Sequence, residues 1–413
     1  MMRISCLSVS DQLGGSEVAL LGTITSLRRV RPDWQFQVVL PGNGPLRARL
    51  TEIGASCPVV PMPSSLARMG EWAAVQEGWS AGARMTLGLQ LCETAAALPG
   101  YESRLRRGLS DFHPDIIHTN GLKAHVVGAR VKASHERLIW HLHEYISRRR
   151  LTRWLLRRYA SRCSAIVANS ASVASDVTAS LGTVPPVHVV ANSVDLETFS
   201  PVGPRLDLDR LSGLPDARPD VIRVGLVATY ARWKGHDVFL DALQRASSDV
   251  ALRGYIIGGP LYDTSSSQYT RRDLQAMIDA RQLAGRVGVT GFVESASAMR
   301  ALDVVVHAST HPEPFGLVIA EGMACGRVVI TAGRGGAAEL VVDGRDALVA
   351  PAGDARALAD TIARLARDGE LRRTIGEHAR ETALRRFSPE RMASQIAQLF
   401  ETVGHQPAIA QTA

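Results

Sequence analysis

Short apolar, β-branched runs alternate with stretches of helical periodicity along almost the whole chain. In the first half the runs are Arg3 to Val9, Phe36 to Leu40, Ile116 to His118, Leu138 to Leu142, Ala165 to Ala168 and Val187 to Val190. In the second half they are Ile222 to Val227, Gly254 to Ile257, Val287 to Val289, Val304 to Val306, Val328 to Thr331 and Ala347 to Val349. Strands that alternate with helices build parallel sheets covered on both faces. Two such series therefore predict two Rossmann-like α/β domains with a ligand cleft between them. The Pro-rich, polar stretch 201–219 has no sustained periodicity and reads as a linker. It separates an N-terminal domain over 1–200 from a C-terminal domain over 220–385. Gly78 to Gly108 reads as helical and irregular. Ser388, followed by Pro389 and Glu390, caps a last helix over 386–403, and 404–413 reads as a flexible tail.

The densest chemistry lies in His311-Pro-Glu-Pro-Phe-Gly-Leu-Val-Ile-Ala-Glu321, directly after the strand-like run Asp303-Val-Val-Val-His-Ala. Pro-Glu-Pro-Phe-Gly cannot continue a strand, and Leu317 to Ala324 has helical spacing. A helix therefore opens at a loop carrying Glu313. Backbone N–H groups from about Gly316 to Val318 have no intrahelical partner, a setting that favours a phosphate. Glu321, one turn further in, suits a diol such as a ribose, and Glu313 suits hydroxyls of a group beyond the phosphates. Gly14 and Gly15 follow the first strand, where backbone without side chains can approach a ligand or simply turn. Arg232 and Lys234 stand in Tyr230-Ala-Arg-Trp-Lys-Gly-His236, after the first strand of the second series. Cations there can neutralise a diphosphate. His141 and His143 stand at a strand end and are expected to face opposite sides of the sheet, which leaves one for a cleft and argues against a metal pair.

These residues resemble the glutamate-x7-glutamate signature of the retaining family-four glycosyltransferases, enzymes of the two-domain GT-B fold. Further segments follow that family's order: Gly14-Gly15-Ser16-Glu17, His143-Glu144, Asn192-Ser-Val-Asp195, Lys234-Gly235 and Gly335-Gly336-Ala-Ala-Glu339. The resemblance implies an acceptor-side N-terminal domain, a donor-binding C-terminal domain and a last helix that crosses back to the first. It implies donor contacts by Gly14, Gly15, Arg232, Lys234, Glu313, Phe315, Gly316, Leu317, Val318 and Glu321. Phe292 and Val293 look like the family's base-recognition loop, which works mostly through its backbone. Glu313, His143 and Lys234 become the candidate catalytic residues. The family commonly places an Arg five residues before this Lys, and here that position is Thr229, which leaves Arg232 as the candidate substitute. The implied reaction moves a hexosyl group, with retention, from a nucleotide diphosphate sugar to an acceptor hydroxyl. It needs no metal or other cofactor, and it belongs to cell-surface glycan or glycolipid assembly, with a glycan or lipid-linked sugar as acceptor. A nucleotide-sugar epimerase of the same fold and a non-catalytic sugar-nucleotide-binding protein are the alternatives.

Composition narrows the setting. At 413 residues the chain is too long for one core, and 46% hydrophobic with 21% charged residues is ordinary for a globular protein. Five scattered cysteines without a C-x-x-C pair argue against a disulfide framework or zinc site and fit a reducing cytoplasm. The first apolar run has strand length rather than that of a signal peptide, and no stretch of about 18 apolar residues occurs. Asp207-Leu208-Asp209 matches a D-x-D metal motif, but in the presumed linker a solvated pair is the better reading. Gly258-Gly259 is not a dinucleotide-binding fingerprint. The net charge of +7 is uneven, with seven arginines between Arg148 and Arg162. Leu151, Trp154, Leu155 and Tyr159 form a stripe at helical spacing among them. The stripe either packs on the core or lies with the arginines on an anionic membrane surface. The expected location is cytoplasmic, including the inner face of the cytoplasmic membrane. Mixed charge elsewhere and no aromatic-interleaved basic platform argue against nucleic acid.

Overall fold

The structure, a computed structural model, describes residues 1–68, 81–182, 185–248, 250–260 and 267–405, with the backbone alone at 68, 81–87 and 90. Each of the twelve apolar runs forms a strand. β1 (Arg3–Ser8), β2 (Gln35–Val39), β3 (Ile116–Asn120), β4 (Arg137–Leu142), β5 (Ala165–Ala168) and β6 (Val187–Val189) make one parallel sheet in the order β2-β1-β3-β4-β5-β6. β7 (Ile222–Val227), β8 (Leu252–Ile257), β9 (Val287–Gly291), β10 (Val304–His307), β11 (Val328–Thr331) and β12 (Leu348–Val349) make a second, in the order β12-β11-β10-β7-β8-β9. Each sheet has its own compact unit, Met1–Ser193 with Pro389–Ala413 for the first and Val194–Ser388 for the second.

Burial explains why the runs are continuous rather than alternating. β3 and β4 are buried along their whole length, because helices cover both faces of the sheet. On one face of the first sheet Ile117, Leu138, Trp140 and Ile166 form a core; on the other, Ile4, Val38 and Val167 meet Leu20 and Ile24 of the helix Gly15–Val30. The helix Pro389–Gly404 completes that second face with Met392, Ile396 and Phe400. In the second unit Val224, Leu226, Ile256, Val304 and Val306 pack with Phe239 and Leu243. The strand order reverses between β1 and β3 in the first sheet and between β7 and β10 in the second. Open α/β sheets take ligands outside the carboxyl ends of the strands at such a reversal.

Two expectations change. The irregular helical stretch is one helix, Ala81–Phe112, with Pro99 inside it; its expected start at 78–80 lies outside the described residues, as do 406–413 of the expected tail. The stretch 201–219 is not a free linker, since it belongs to the second unit. Asp207 caps the short helix Leu208–Ser212 by accepting the Arg210 N–H at 3.0 Å. Asp209, only 4% exposed, accepts from Tyr255 Oη at 2.7 Å and Arg253 Nη1 at 3.0 Å, and lies 3.4 Å from Arg223 Nη2. Arg223 and Arg253 are register partners on β7 and β8. The D-x-D pair is thus a helix cap beside a buried ion cluster, not a solvated pair.

Candidate active site

In the second unit β7 and β10 each lead into a loop that bears a candidate residue. After β7 the chain makes a 3₁₀ turn, Arg232–Lys234, ended by Gly235 at φ 76°. A side chain at Gly235 would meet the Ala308 carbonyl oxygen at 2.1 Å, so only glycine lets the β7 loop lie against the end of β10. Thr310 N–H donates to Trp233 O at 2.9 Å and holds the two loops together. Lys234 Nζ thereby donates to Glu313 Oε1. Ser309 Oγ donates to the same oxygen at 2.7 Å, and His307 Nε2 lies 3.4 Å from it. Glu313 is 6% exposed. Burial pushes its pKa up, but the His307 hydrogen bond and the Lys234 charge outweigh burial and hold it well below the usual carboxylate range.

His307 is itself oriented. Thr331, its register partner on β11, lies with Oγ1 3.2 Å from His307 Nδ1 and accepts the Gly333 N–H at 3.2 Å. The ionised Glu313 can only accept, so the His307 Nε2 that faces it carries a proton. His307, Ser309 and Thr331 escape the sequence reading. Two polar residues at i, i+2 where a buried strand ends, on one face and six and four residues before Glu313, were the available signal.

The helix Leu317–Ala324 starts at Gly316, φ 98°, where a Cβ would crowd Ile319 Cδ1 at 3.0 Å. Phe315 is buried edge-on against Phe387, with centroids 5.9 Å apart, so its ring anchors the turn rather than meeting a donor. Leu317 and Val318 supply the first backbone N–H groups of the helix. Glu321 is half-buried, and its carboxylate has no hydrogen-bond or ion-pair partner among the described residues. Burial pushes its pKa up to about 7. Arg232 is exposed and lies over the Tyr269 ring at 4.4 Å, so Lys234 and not Arg232 is the cation brought to Glu313. Phe292, 64% exposed beyond β9, rests on Gly259, where a side chain would meet the ring at 2.5 Å; Val293 beside it is half-buried.

In the first unit the two glycines differ. A Cβ at Gly14 would meet Glu17 Oε2 at 2.6 Å, whereas one at Gly15 would have nothing within 4 Å. The Gly14 contact is with the movable end of a side chain, and Gly15 leaves backbone open. Asn120, ending β3, donates to Ser16 O at 3.1 Å and ties this turn to the strand reversal. β4 ends at Leu142, one residue before His143. The His141 and His143 rings lie side by side, centroids 4.2 Å apart, which corrects the expectation of opposite faces: residues two apart along an extended chain share a face. His141 is a core residue 3.2 Å from His118 Nε2. Both His143 ring nitrogens are enclosed without a hydrogen-bond partner among the described residues, and burial lowers its pKa to about 4. It is a neutral imidazole at neutral pH, fit to donate or accept a hydrogen bond but not to supply charge. Among the described residues no three His, Cys, Asp or Glu side chains are placed to hold a metal ion, and the five cysteines are free thiols.

With this geometry in place, comparison with known proteins defines the class. The family model for glycosyl transferases group 1 matches residues 218–368, and that for glycosyltransferase family 4 matches 89–198. The D-inositol 3-phosphate glycosyltransferase of Xylanimonas cellulosilytica is 33% identical over 245 residues, 57% of this chain and 56% of that one. The phosphatidyl-myo-inositol mannosyltransferase of Mycobacterium leprae is 30% identical, over 52% of this chain and 53% of its own length. The matched region thus spans about half the length of these curated relatives. Anabaena HepE, solved in complex with UDP-glucose, superposes with a TM-score of 0.77 at 25% identity, covering 97% of this chain and 100% of that one. The chain belongs to the family-four, group 1 glycosyltransferases and has the GT-B fold.

Proposed function

We propose that this chain is a retaining hexosyltransferase that takes a nucleotide diphosphate sugar as donor and a glycan or lipid-linked sugar hydroxyl as acceptor, without a metal ion. The observation that carries this reading is Glu321. A half-buried carboxylate with no partner among the described residues, one turn inside a helix whose N-terminus follows the Glu313 loop, is stabilised by a ligand that brings hydroxyl donors, as a ribose does. The N–H groups of Leu317 and Val318 and the ammonium of Lys234 then supply positive charge for the diphosphate. Glu313 orients the sugar. Its Oε1 is surrounded by three donors, which makes it a poor nucleophile. That supports substitution on one face of the sugar, with the leaving diphosphate helping to take the acceptor proton. His143, neutral, orients a sugar or acceptor hydroxyl. UDP-glucose in HepE supports a nucleotide-sugar donor, and the two inositol-directed relatives support a glycan or glycolipid acceptor. Five free thiols support a cytoplasmic setting.

A thermal-shift screen of nucleotide hexoses, followed by titration calorimetry, tests the reading. A donor at 100 times its dissociation constant stabilises the fold by about 2.7 kcal/mol. Acceptor-dependent release of nucleoside diphosphate is the expected sequel. Epimerised donor formed without acceptor would point instead to an epimerase, and binding without any release to a silent sugar-nucleotide-binding protein.

A further inference from the structure

The helix Arg150–Tyr159 in the first unit turns the wrong face outward for a core helix. Leu156 is its buried member of the core, while Leu155 and Tyr159 are half-buried. Of the apolar stripe read from the sequence, half stays outside the core, with Trp154 62% and Leu151 44% exposed. At 100° per residue these two share one side with Arg150, Arg157 and Arg158, and Arg153 flanks them. All four arginines are exposed. Among the described residues none of the four has an acidic partner; Arg158 lies over Tyr159, and the ion pairs beside this helix, Arg149 with Glu144 at 3.1 Å and Arg130 with Glu102, use other arginines. An indole and a leucine between unpaired arginines call for a partner that is apolar beneath an anionic surface. Phosphate headgroups above acyl chains have that profile, since tryptophan settles at the headgroup level and arginines take the phosphates.

We infer that this face docks the protein on an anionic lipid surface, with Trp154 and Leu151 inserted at the headgroup boundary and Arg150, Arg153, Arg157 and Arg158 on the lipid phosphates. The purpose assigned to it, access to a lipid-linked acceptor, rests on the glycosyltransferase reading; the contact itself rests on the helix. Docking alone does not need the chain to cross the bilayer, and no described helix is long and apolar enough to do so.

Co-sedimentation of the full chain with vesicles tests the inference. The vesicles are either pure phosphatidylcholine or phosphatidylcholine with 30 mol% phosphatidylglycerol, roughly the anionic density that attracts basic segments. Binding to the anionic vesicles is expected, and it weakens in high salt because screening shortens the attraction to about 3 Å at 1 M. Replacing the four arginines with Gln lowers the partition coefficient more than about a hundredfold, at about fivefold per arginine. Leu151→Ser with Trp154→Ser lowers it about tenfold or more with the charges intact. Far-UV circular dichroism and nucleoside diphosphate affinity, unchanged in both variants, show that the fold is retained. Equal sedimentation of wild type and the fourfold Gln variant would overturn the inference. So would an unaltered Leu151/Trp154 variant, which would make the face a site for a soluble polyanion such as polyphosphate. A chain that binds vesicles yet transfers no sugar defeats the transferase reading and leaves this surface standing; an active chain that ignores the vesicles does the reverse.

Discussion

Glu313 sits among Lys234, Ser309 and His307 and stays ionised through the neutral and mildly acidic range, whereas burial without a partner leaves Glu321 titrating near 7. Two carboxylates of one motif are thus given different charges by their surroundings. A ribose diol binds the ionised form of Glu321 best, so nucleoside diphosphate affinity should rise as pH rises through about 7. Titration calorimetry of wild type and Glu321→Gln at pH 6 and 8 separates this from the titration of the ligand's own phosphates, which both chains share. Glu321→Ala should cost roughly 1 to 3 kcal/mol of donor affinity, and an unchanged affinity would remove Glu321 from the site. Stability has the opposite sign. The folded chain holds the Glu321 proton more tightly than the unfolded chain, so this contribution is complete below about pH 4.5 and is lost as pH rises through 7. Glu321→Gln should therefore raise the denaturation midpoint more at pH 8 than at pH 5. Lys234→Met leaves Glu313 buried with one donor fewer, at a cost of about 2 kcal/mol once the partial exposure of Lys234 is allowed for. Adding Glu313→Gln should recover part of that cost, and urea denaturation of the four chains of the cycle checks it.

The strand that ends at His307, the turn at Gly316 and the helix bearing Glu321 form the element on which the site is built. Gly316→Ala tests its geometry. At φ 98° and 3.0 Å from Ile319, an added methyl should destabilise the second unit by more than about 1 kcal/mol and weaken diphosphate binding through the displaced helix N-terminus. At this scale the sequence was most legible. Each sheet strand overlaps an apolar-rich run, and Leu317–Ala324 announces itself by spacing after a Pro-Phe-Gly turn. What escaped depends on pairings that lie far apart along the chain. Thr331 meets His307 only because β10 and β11 align in that register. Asp209 looked like a solvated acid because its partners, Arg223, Arg253 and Tyr255, lie 14, 44 and 46 residues away. His143 was misjudged because the period of two was misapplied: residues two apart on an extended chain share a face, and its ring lies beside that of His141.

The whole molecule repeats one plan, a six-stranded parallel sheet in each unit with its candidate residues where the strand order reverses. Gly15 and Asn120 mark the reversal in the first, and Lys234 and Glu313 in the second. Positive charge at the second reversal comes from Lys234 and a helix N-terminus, so turnover should persist in excess chelator; loss that magnesium or manganese restores would count against a metal-free transfer. Sugar transfer from a nucleotide diphosphate donor can be read as nucleoside diphosphate release from a panel of nucleotide hexoses, with and without a membrane-derived glycolipid extract, for wild type and Glu313→Gln. Release from at least one donor should depend on the extract, leave the anomeric configuration of the transferred sugar unchanged by NMR, and fall at least about a hundredfold in Glu313→Gln. Release that ignores the extract, an inverted anomeric centre, or full activity in Glu313→Gln would rule out retaining transfer through this site.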